Sequence, residues 1–170
     1  MDAFINDVEV LAKAGDWAGV LSRVVSQLSA DSGTIHLMGD DGLLHLAAAS
    51  AGIPAVVLET VRTVVVGKGM AGLAVERKRA VDACNIQTDT TGDVRPGARI
   101  TGLQGSIVVP LLRDEEAVGA MGVANRTERT FSEAEEALLL LAGRRIAGAA
   151  GLGRARPREQ ESSGKGGQAG

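Results

Sequence analysis

The residues of this chain that could do chemistry gather around one stretch, NIQTDTTGDVRPGARITGLQG, residues 85–105. Three acids, Asp82, Asp89 and Asp93, and two bases, Arg95 and Arg99, fall on it or at its edge. Groups at this density can pair with one another, or the guanidinium groups can clamp an anion through charge-assisted hydrogen bonds. Thr101 and Ser106 add neutral hydroxyls on the downstream side. The stretch has no run fit for a helix or a buried strand. Loops longer than about 12–15 residues are uncommon in compact chains and are usually functional or unstructured. Its glycines, Gly92, Gly97, Gly102 and Gly105, permit tight turns, and Pro96 fixes one φ and keeps Arg95 extended.

Four other features carry chemistry in principle. Cys84 is the single cysteine, so the chain has no internal disulfide and no thiolate-cluster metal site. Its simplest role is a small, semi-buried thiol at a strand end. His36 and His45 fall on facing strands of a hairpin, where haem ligation has to be weighed. With Phe4, Trp17 and Phe131 as the only aromatics, the shell that usually surrounds a haem or a tetrapyrrole is missing. Structural or surface histidines are therefore expected. Gly67-Lys68-Gly69-Met70-Ala71-Gly72 is a glycine-rich approach to a helix N-terminus, congenial to phosphate but without the Gly-Lys-Ser/Thr ending of a phosphate loop. It leads into a short helix. No catalytic residue and no metal site is expected.

These positions are held by elements of clear periodicity. Phe4, Val8 and Leu11 share one helical face; after a break at Gly15-Asp16, where Asp16 can cap a second helix, Leu21, Val24, Val25 and Leu28 continue the stripe. Two alternating runs flank Asp40-Asp41-Gly42, a hairpin signal. Thr34, His36 and Met38 share one face of its first strand, and Ile35 and Leu37 the other. Pro54 opens a helix to about Val61. A β-branched run at Val64–Val66, a short helix at Met70–Glu76 and a brief strand near 79–82 follow. SIVVPLL and AVGAMGVA are two further strands, with Pro110 marking an edge, a bulge or a strand end. The last helix starts at Ser132 with Glu135 as a capping box. It is apolar nearly all round at Leu138–Ala142, which implies burial against its own sheet and against a second subunit. Residues 151–170, rich in Gly, Ser and charge, read as a disordered tail.

The 170 residues are 45% apolar and 23% charged with a net charge of −3, which fits one globular domain. Neither a basic field nor aromatic stacking platforms invite nucleic acid. MDAFINDVEV is not a signal peptide, and no apolar run approaches the roughly 18 residues of a membrane span. A cytoplasmic protein is expected.

The order helix, hairpin, helix, short helix, strand, long loop, two strands, helix is an α+β layer with a mainly antiparallel sheet. The segments VGKGMAGLAVERKRAVDA, GSIVVPLL, AVGAMGVANR and FSEAEEALLLLAGRRIAGAA resemble successive parts of a GAF domain over roughly residues 16–150, preceded by an N-terminal helix at 1–15. The resemblance implies a central sheet with N- and C-terminal helices on one face and the long loop roofing a small cavity on the other. It also brings in the free methionine-(R)-sulfoxide reductases, which are similar in layout. Their Phe-Pro-Gly-His-x-x-Cys segment corresponds here to Arg95–Gly102, with Thr101 at the cysteine position. Their two acid-bearing strands correspond to Met121–Ala124 and Gly105–Val108, which carry no acid. A disulfide relay needs two thiols, so this chemistry is not expected. Asn125-Arg126, Phe131 and Glu135-Glu136 echo the signature of cyclic-nucleotide GAF domains, but helix capping explains Phe131 and Glu135 alone.

The resulting expectation is a stand-alone, non-catalytic sensor binding a small polar ligand under residues 82–105. Arg95 and Arg99 would be the charged contacts, with Asp93 beside them, Thr101 and Ser106 the neutral ones, and Thr34 and His36 the floor. The ligand and any cofactor are unnamed by the sequence. Partners would be a second copy of the chain, in a homodimer through the terminal helices, and a separate signalling protein. The alternative is a dimerisation scaffold in which the cavity is filled and the arginines pair with Asp89 and Asp93; an enzyme ranks last, for want of a nucleophile–base pair.

Overall fold

The computed structural model describes residues 2–94 and 96–153. Two helices open the chain, α1 (Asp2–Lys13) and α2 (Trp17–Gln27). Gly15 turns the chain between them at φ +72°, and the Asp16 carboxylate accepts from the Gly19 N–H at 2.9 Å, satisfying one orphan donor of α2. Strands β1 (Ser32–Met38) and β2 (Leu43–Ala49) form the expected hairpin, closed by Gly42 at φ +76° and by the Asp41 side chain on the Leu43 N–H. Then follow α3 (Ala55–Val61), β3 (Thr63–Val65), α4 (Gly69–Arg77) and β4 (Val81–Ala83). The long loop, with a 3-10 turn at Pro96–Thr101, leads into β5 (Ser106–Arg113), β6 (Glu116–Ala124) and α5 (Glu133–Ala149).

The six strands make one sheet in the order β3-β2-β1-β6-β5-β4, every neighbour antiparallel. This is the expected α+β class. Successive side chains of a strand point to opposite faces, so each face has its own cluster. On one face Ile35, Ile107, Val109, Leu111, Met121 and Val123 pack against Phe4 and Val8 of α1, Val20 and Val24 of α2, and Leu139 and Ile146 of α5. On the other, Leu44, Val108 and Ala120 meet Ala74 and Val75 of α4, and a small third cluster holds Ala83, Ile86 and Val94 of the loop.

Local expectations meet their reasons here. Pro110 pairs with Ala120 of β6, while β4 reaches only Ser106–Val108, so no partner on that side loses a bond to the missing N–H. A register shift follows at once, between Leu111 and Leu112. The capping box of α5 is present, with Ser132 and Glu135 bonded reciprocally. The second apolar side of α5 is covered by α1 of the same chain. Residues 151–153 pack back on the domain: the Leu152 N–H bonds the Ala147 carbonyl and the Arg113 guanidinium bonds the Leu152 carbonyl. The rest of the expected tail, 154–170, lies outside the described residues.

One close approach fixes α4. The Gly67 N–H bonds the Gly72 carbonyl at 2.9 Å, and a Cβ built on Gly72 would collide with the Val65 carbonyl oxygen. Gly72→Ala should therefore push α4 off β3 and destabilise the fold by about 1–3 kcal/mol, read as a lower urea midpoint at unchanged m-value.

Candidate functional site

Between the sheet and the loop is a cavity of about 200 Å³. Its floor is the face of β1, β6 and β5 that bears small or polar residues: Ser32, Thr34 and His36, Gly122 and Ala124, and Ser106. One wall is α3, through Val57 and Val61, with Val64 beside it; the other is the start of α4, through Lys68, Gly69, Met70 and Ala71. The roof is the loop, which turns Ile86, Val94, Ala98 and Leu103 inward. The interior is thus mainly aliphatic, although the loop's composition is polar.

The reason lies in where the loop's polar groups find partners. Backbone N–H groups of Ile86 and Gln104 bond the carbonyls of Gln104 and Asn125, at 2.8 and 2.7 Å. The Gln87 amide donates to the Arg99 and Leu103 carbonyls, at 3.1 and 2.8 Å, stitching the two halves of the loop together. Asp89 accepts from the Thr91 hydroxyl at 2.6 Å. Asp93 forms a two-pronged ion pair with Arg77 of α4, at 3.1 and 3.3 Å. Arg99 is exposed and donates to the Asp89 backbone carbonyl at 3.1 Å. With their charges engaged at the surface, where desolvation is least costly, Asp93 and Arg99 are not among the cavity-lining residues, contrary to the expected ligand contacts. Neither arginine–carboxylate pairing of the scaffold alternative forms through Arg99. Arg95 lies outside the described residues.

Thr34, His36, Thr101 and Ser106 all line the cavity. Three of them have already spent their donor, His36 on the Val61 carbonyl at 2.8 Å. Thr101 Oγ1 donates to the Ala98 carbonyl at 2.7 Å and accepts from the Leu103 N–H, and Ser106 Oγ donates to the Val123 carbonyl at 3.1 Å. The polar expectation therefore covers fewer free groups than the residue types suggest. Lys68, which the family resemblance assigns to a structural turn, is brought by the geometry to the cavity wall. Among the described residues it is the only charged one lining the cavity, and it is exposed. The glycine-rich approach to a helix was the signal for it.

His36 is 3% exposed, and its Nε2 lies 2.8 Å from the Val61 carbonyl, so Nε2 carries the hydrogen and donates. Burial pushes the imidazole pKa below its ordinary value, and the bond to Val61 opposes that only in part. His45 stands opposite Leu37, hence on the other face of the sheet, and its Nε2 meets Asp41 at 2.8 Å. The two histidines cannot share a ligand. Cys84 is exposed rather than semi-buried and does not line the cavity; its sulfur accepts from the Thr130 hydroxyl at 3.7 Å. Among the described residues no cluster of three or more His, Cys, Asp or Glu is placed to hold a metal, and no helix is long and apolar enough to cross a membrane.

The echo of the cyclic-nucleotide signature resolves into a different pair. Arg129, not Arg126, reaches Glu135, and it also donates to Asn125 Oδ1 at 2.9 Å and lies 4.5 Å from the Phe131 ring centroid. Asn125 in turn donates to the Ser29 carbonyl. The Glu135 carboxyl sits below its ordinary range, chiefly through the Ser132 backbone N–H and then through Arg129. This hub joins the end of β6 to α5 outside the cavity, a latch that the spacing of Asn125 and Arg126 concealed.

The lowered His36 pKa has a definite sign. Below about pH 6.5, the ordinary histidine value, the unfolded chain takes up a proton that the native chain resists. Stability is full above that pH and falls as pH drops toward the native pKa. His36→Gln should flatten this part of the profile, checked by urea midpoints between pH 7.5 and about pH 5.

A family model described as GAF domain matches residues 18–149. The fold is similar to the GAF domain of an Acinetobacter phosphoenolpyruvate-protein phosphotransferase, with a TM-score of 0.71 at 19% identity over 88% of this chain and 91% of that one. It is similar also to free methionine-R-sulfoxide reductase from Neisseria meningitidis in complex with its substrate, with a TM-score of 0.70 at 14% identity over 86% of each chain. The type II enzyme of that name from Thermoplasma acidophilum gives 0.67 at 18% identity, over 85% of this chain and 95% of that one. No curated protein sequence matches the chain. Identities this low speak for the fold alone, whereas the family match runs from the second helix to the end of the last: the chain belongs to the GAF domain family.

Proposed function

We propose that this GAF domain is a non-catalytic sensor that binds a small, mainly apolar molecule in the cavity beneath residues 82–105. GAF domains in general are signalling and sensor modules. The observation that carries the reading is the cavity itself. An open space of about 200 Å³ with mostly aliphatic walls leaves apolar surface in contact with water, which a guest would cover. Covering that surface favours binding. The reading departs from a polar or anionic guest held by loop arginines, since Arg99 is engaged at the surface.

Residues 16–150 would form the sensing domain, with α1 as an extension of its helical layer. A change in the loop has a short route outward. Gly122 and Ala124 of β6 line the cavity, β6 pairs with β5, and α5 lies on β5 with α1 against it. Ordering the loop would shift the balance between packings of these helices. The reductase reaction has no support in the thiols, because a relay needs two and this chain has one, exposed and off the cavity.

Native mass spectrometry of the protein purified without denaturation should find a retained small molecule. Hydrogen exchange in 85–105 should slow when a deproteinised cell extract is added to stripped protein, with little change in global stability. A loop equally protected with and without extract, and no retained mass, would remove the sensor reading.

Signal transmission through α1 and α5 further implies a homodimer through the terminal helices, where Val10 is 60% exposed on α1. Sedimentation velocity at micromolar concentration should give the dimer mass; a monomer would count against it.

A further inference from the structure

The polar groups of the cavity floor form a pattern along β1. Ser32, Thr34 and His36 are every second residue of a strand that pairs with β6 without interruption from Ser32 to Leu37, so all three stand on the cavity face. His36 is 3% exposed and gives its Nε2–H to the Val61 carbonyl at 2.8 Å, which leaves Nδ1 with a lone pair and no hydrogen. Burial pushes the imidazole pKa down, which keeps the ring neutral and that lone pair available. Neither Nδ1 nor the Thr34 hydroxyl has a partner among the described residues. Yet no fully enclosed side-chain polar atom of those residues lacks a partner, so both atoms open onto the cavity that their residues line.

The two free groups are complementary. Nδ1 can only accept, and the Thr34 hydroxyl has a hydrogen to give. Residues two apart on one face of a strand stand about 6.7 Å from each other. One oxygen between them can therefore make two hydrogen bonds of about 2.8 Å, donating to His36 and accepting from Thr34. A hydroxyl does both. An ether or ketone oxygen would leave Nδ1 unmet, a carboxylate would set its charge against the lone pair, and an ammonium group cannot accept. Around the pair the walls are aliphatic, through Val57, Val61, Val64, Met70 and Ile86.

We propose that the ligand is a small uncharged aliphatic alcohol, its hydroxyl between His36 Nδ1 and Thr34 Oγ1 and its hydrocarbon body against the aliphatic walls. The inference rests on the reading of the cavity as a ligand site and adds the class of ligand. Ser32 needs nothing from such a guest: it also lines a small surface groove beside Asp31, Gly52 and Pro54, where its hydroxyl is within reach of water. The size follows from the volume. A cavity of about 150 Å³ holds benzene, so one of about 200 Å³ suits a body of about six to eight carbons.

The test is calorimetric titration of the intact chain with n-hexanol, with its isomer methyl pentyl ether and with hexanoate. The alcohol should bind about tenfold more tightly than the ether, which leaves Nδ1 without a donor, and more tightly than hexanoate. His36→Phe, which keeps a flat ring and removes both nitrogens, should abolish the difference between alcohol and ether. Thr34→Val, which removes a donor that both compounds use, should weaken both alike. Should His36→Phe fail to fold, the nitrogen-15 resonance of His36 Nδ1 in the natural chain gives the same answer: it should move upfield with n-hexanol and stay in place with the ether. Equal affinity for alcohol and ether, a preference that survives His36→Phe, alcohol binding untouched by Thr34→Val, an unmoved Nδ1 resonance or tighter binding of hexanoate would each overturn the hydroxyl assignment while leaving the cavity as a ligand site. Binding of none of the three would overturn the alcohol class; the separate exchange and mass measurements decide whether the site falls with it.

Discussion

The antiparallel pairing of β5 with β6 runs from Ser106↔Ala124 to Arg113↔Glu116, and each of the other layers is built on it. β1 extends the sheet along β6, β4 along β5, and both α4 and α5 pack on the pair from opposite sides. What the pairing fixes is an alternation of sizes. On the face toward α5, β5 and β6 present Ile107, Val109, Leu111, Met121 and Val123, all almost fully buried. On the other face they present Ser106, Val108, Ala120, Gly122 and Ala124. The period of two in a strand makes this segregation strict, and a slip of one residue would exchange the faces.

The cavity follows from that difference. Large residues and three helices fill the helical side. Across the sheet, small residues are covered by a seven-residue helix, a nine-residue helix and a loop, which together supply too little volume to close the gap. In a chain with three aromatic residues, none is placed there to plug it. Of the three, Phe4 and Phe131 are buried in the helical layer and Trp17 packs against it. The cavity therefore lies on the under-packed side, with the start of α4 at its wall and β1 at its floor.

The ion pairs and the cavity are spatially separated in the same way. The Arg129 hub, which touches Asn125, Phe131 and Glu135, and the paired Arg77 and Asp93 hold outer segments in place without entering the cavity. Charged groups that serve the fold stay at the surface, where water screens them. Lys68 is the exception: it is charged, at the wall and free of an ion pair among the described residues.

Local physics made much of this legible from the chain alone. Helix stripes, the Asp16 cap, the Ser132–Glu135 capping box, the turn at Gly42 and the strand alternation depend on residues a few positions apart, and each element formed where those signals stood. The placement of Thr34, His36, Thr101 and Ser106 on one cavity could be anticipated because strand parity and the family layout fix it. The loop could not be read this way. Which of its faces turned inward depended on partners far along the chain: Arg77 for Asp93, Glu128 for Asn85, and Met70 for the apolar roof. A polar sequence accordingly became an aliphatic ceiling with its charges outside. The choice of Arg129 over Arg126 as partner of Glu135, and the arrival of Lys68 at the wall, were likewise settled by tertiary packing. Short-range spacing determines which elements form, whereas burial and ion pairing between distant residues decide which side chains those elements turn toward the cavity.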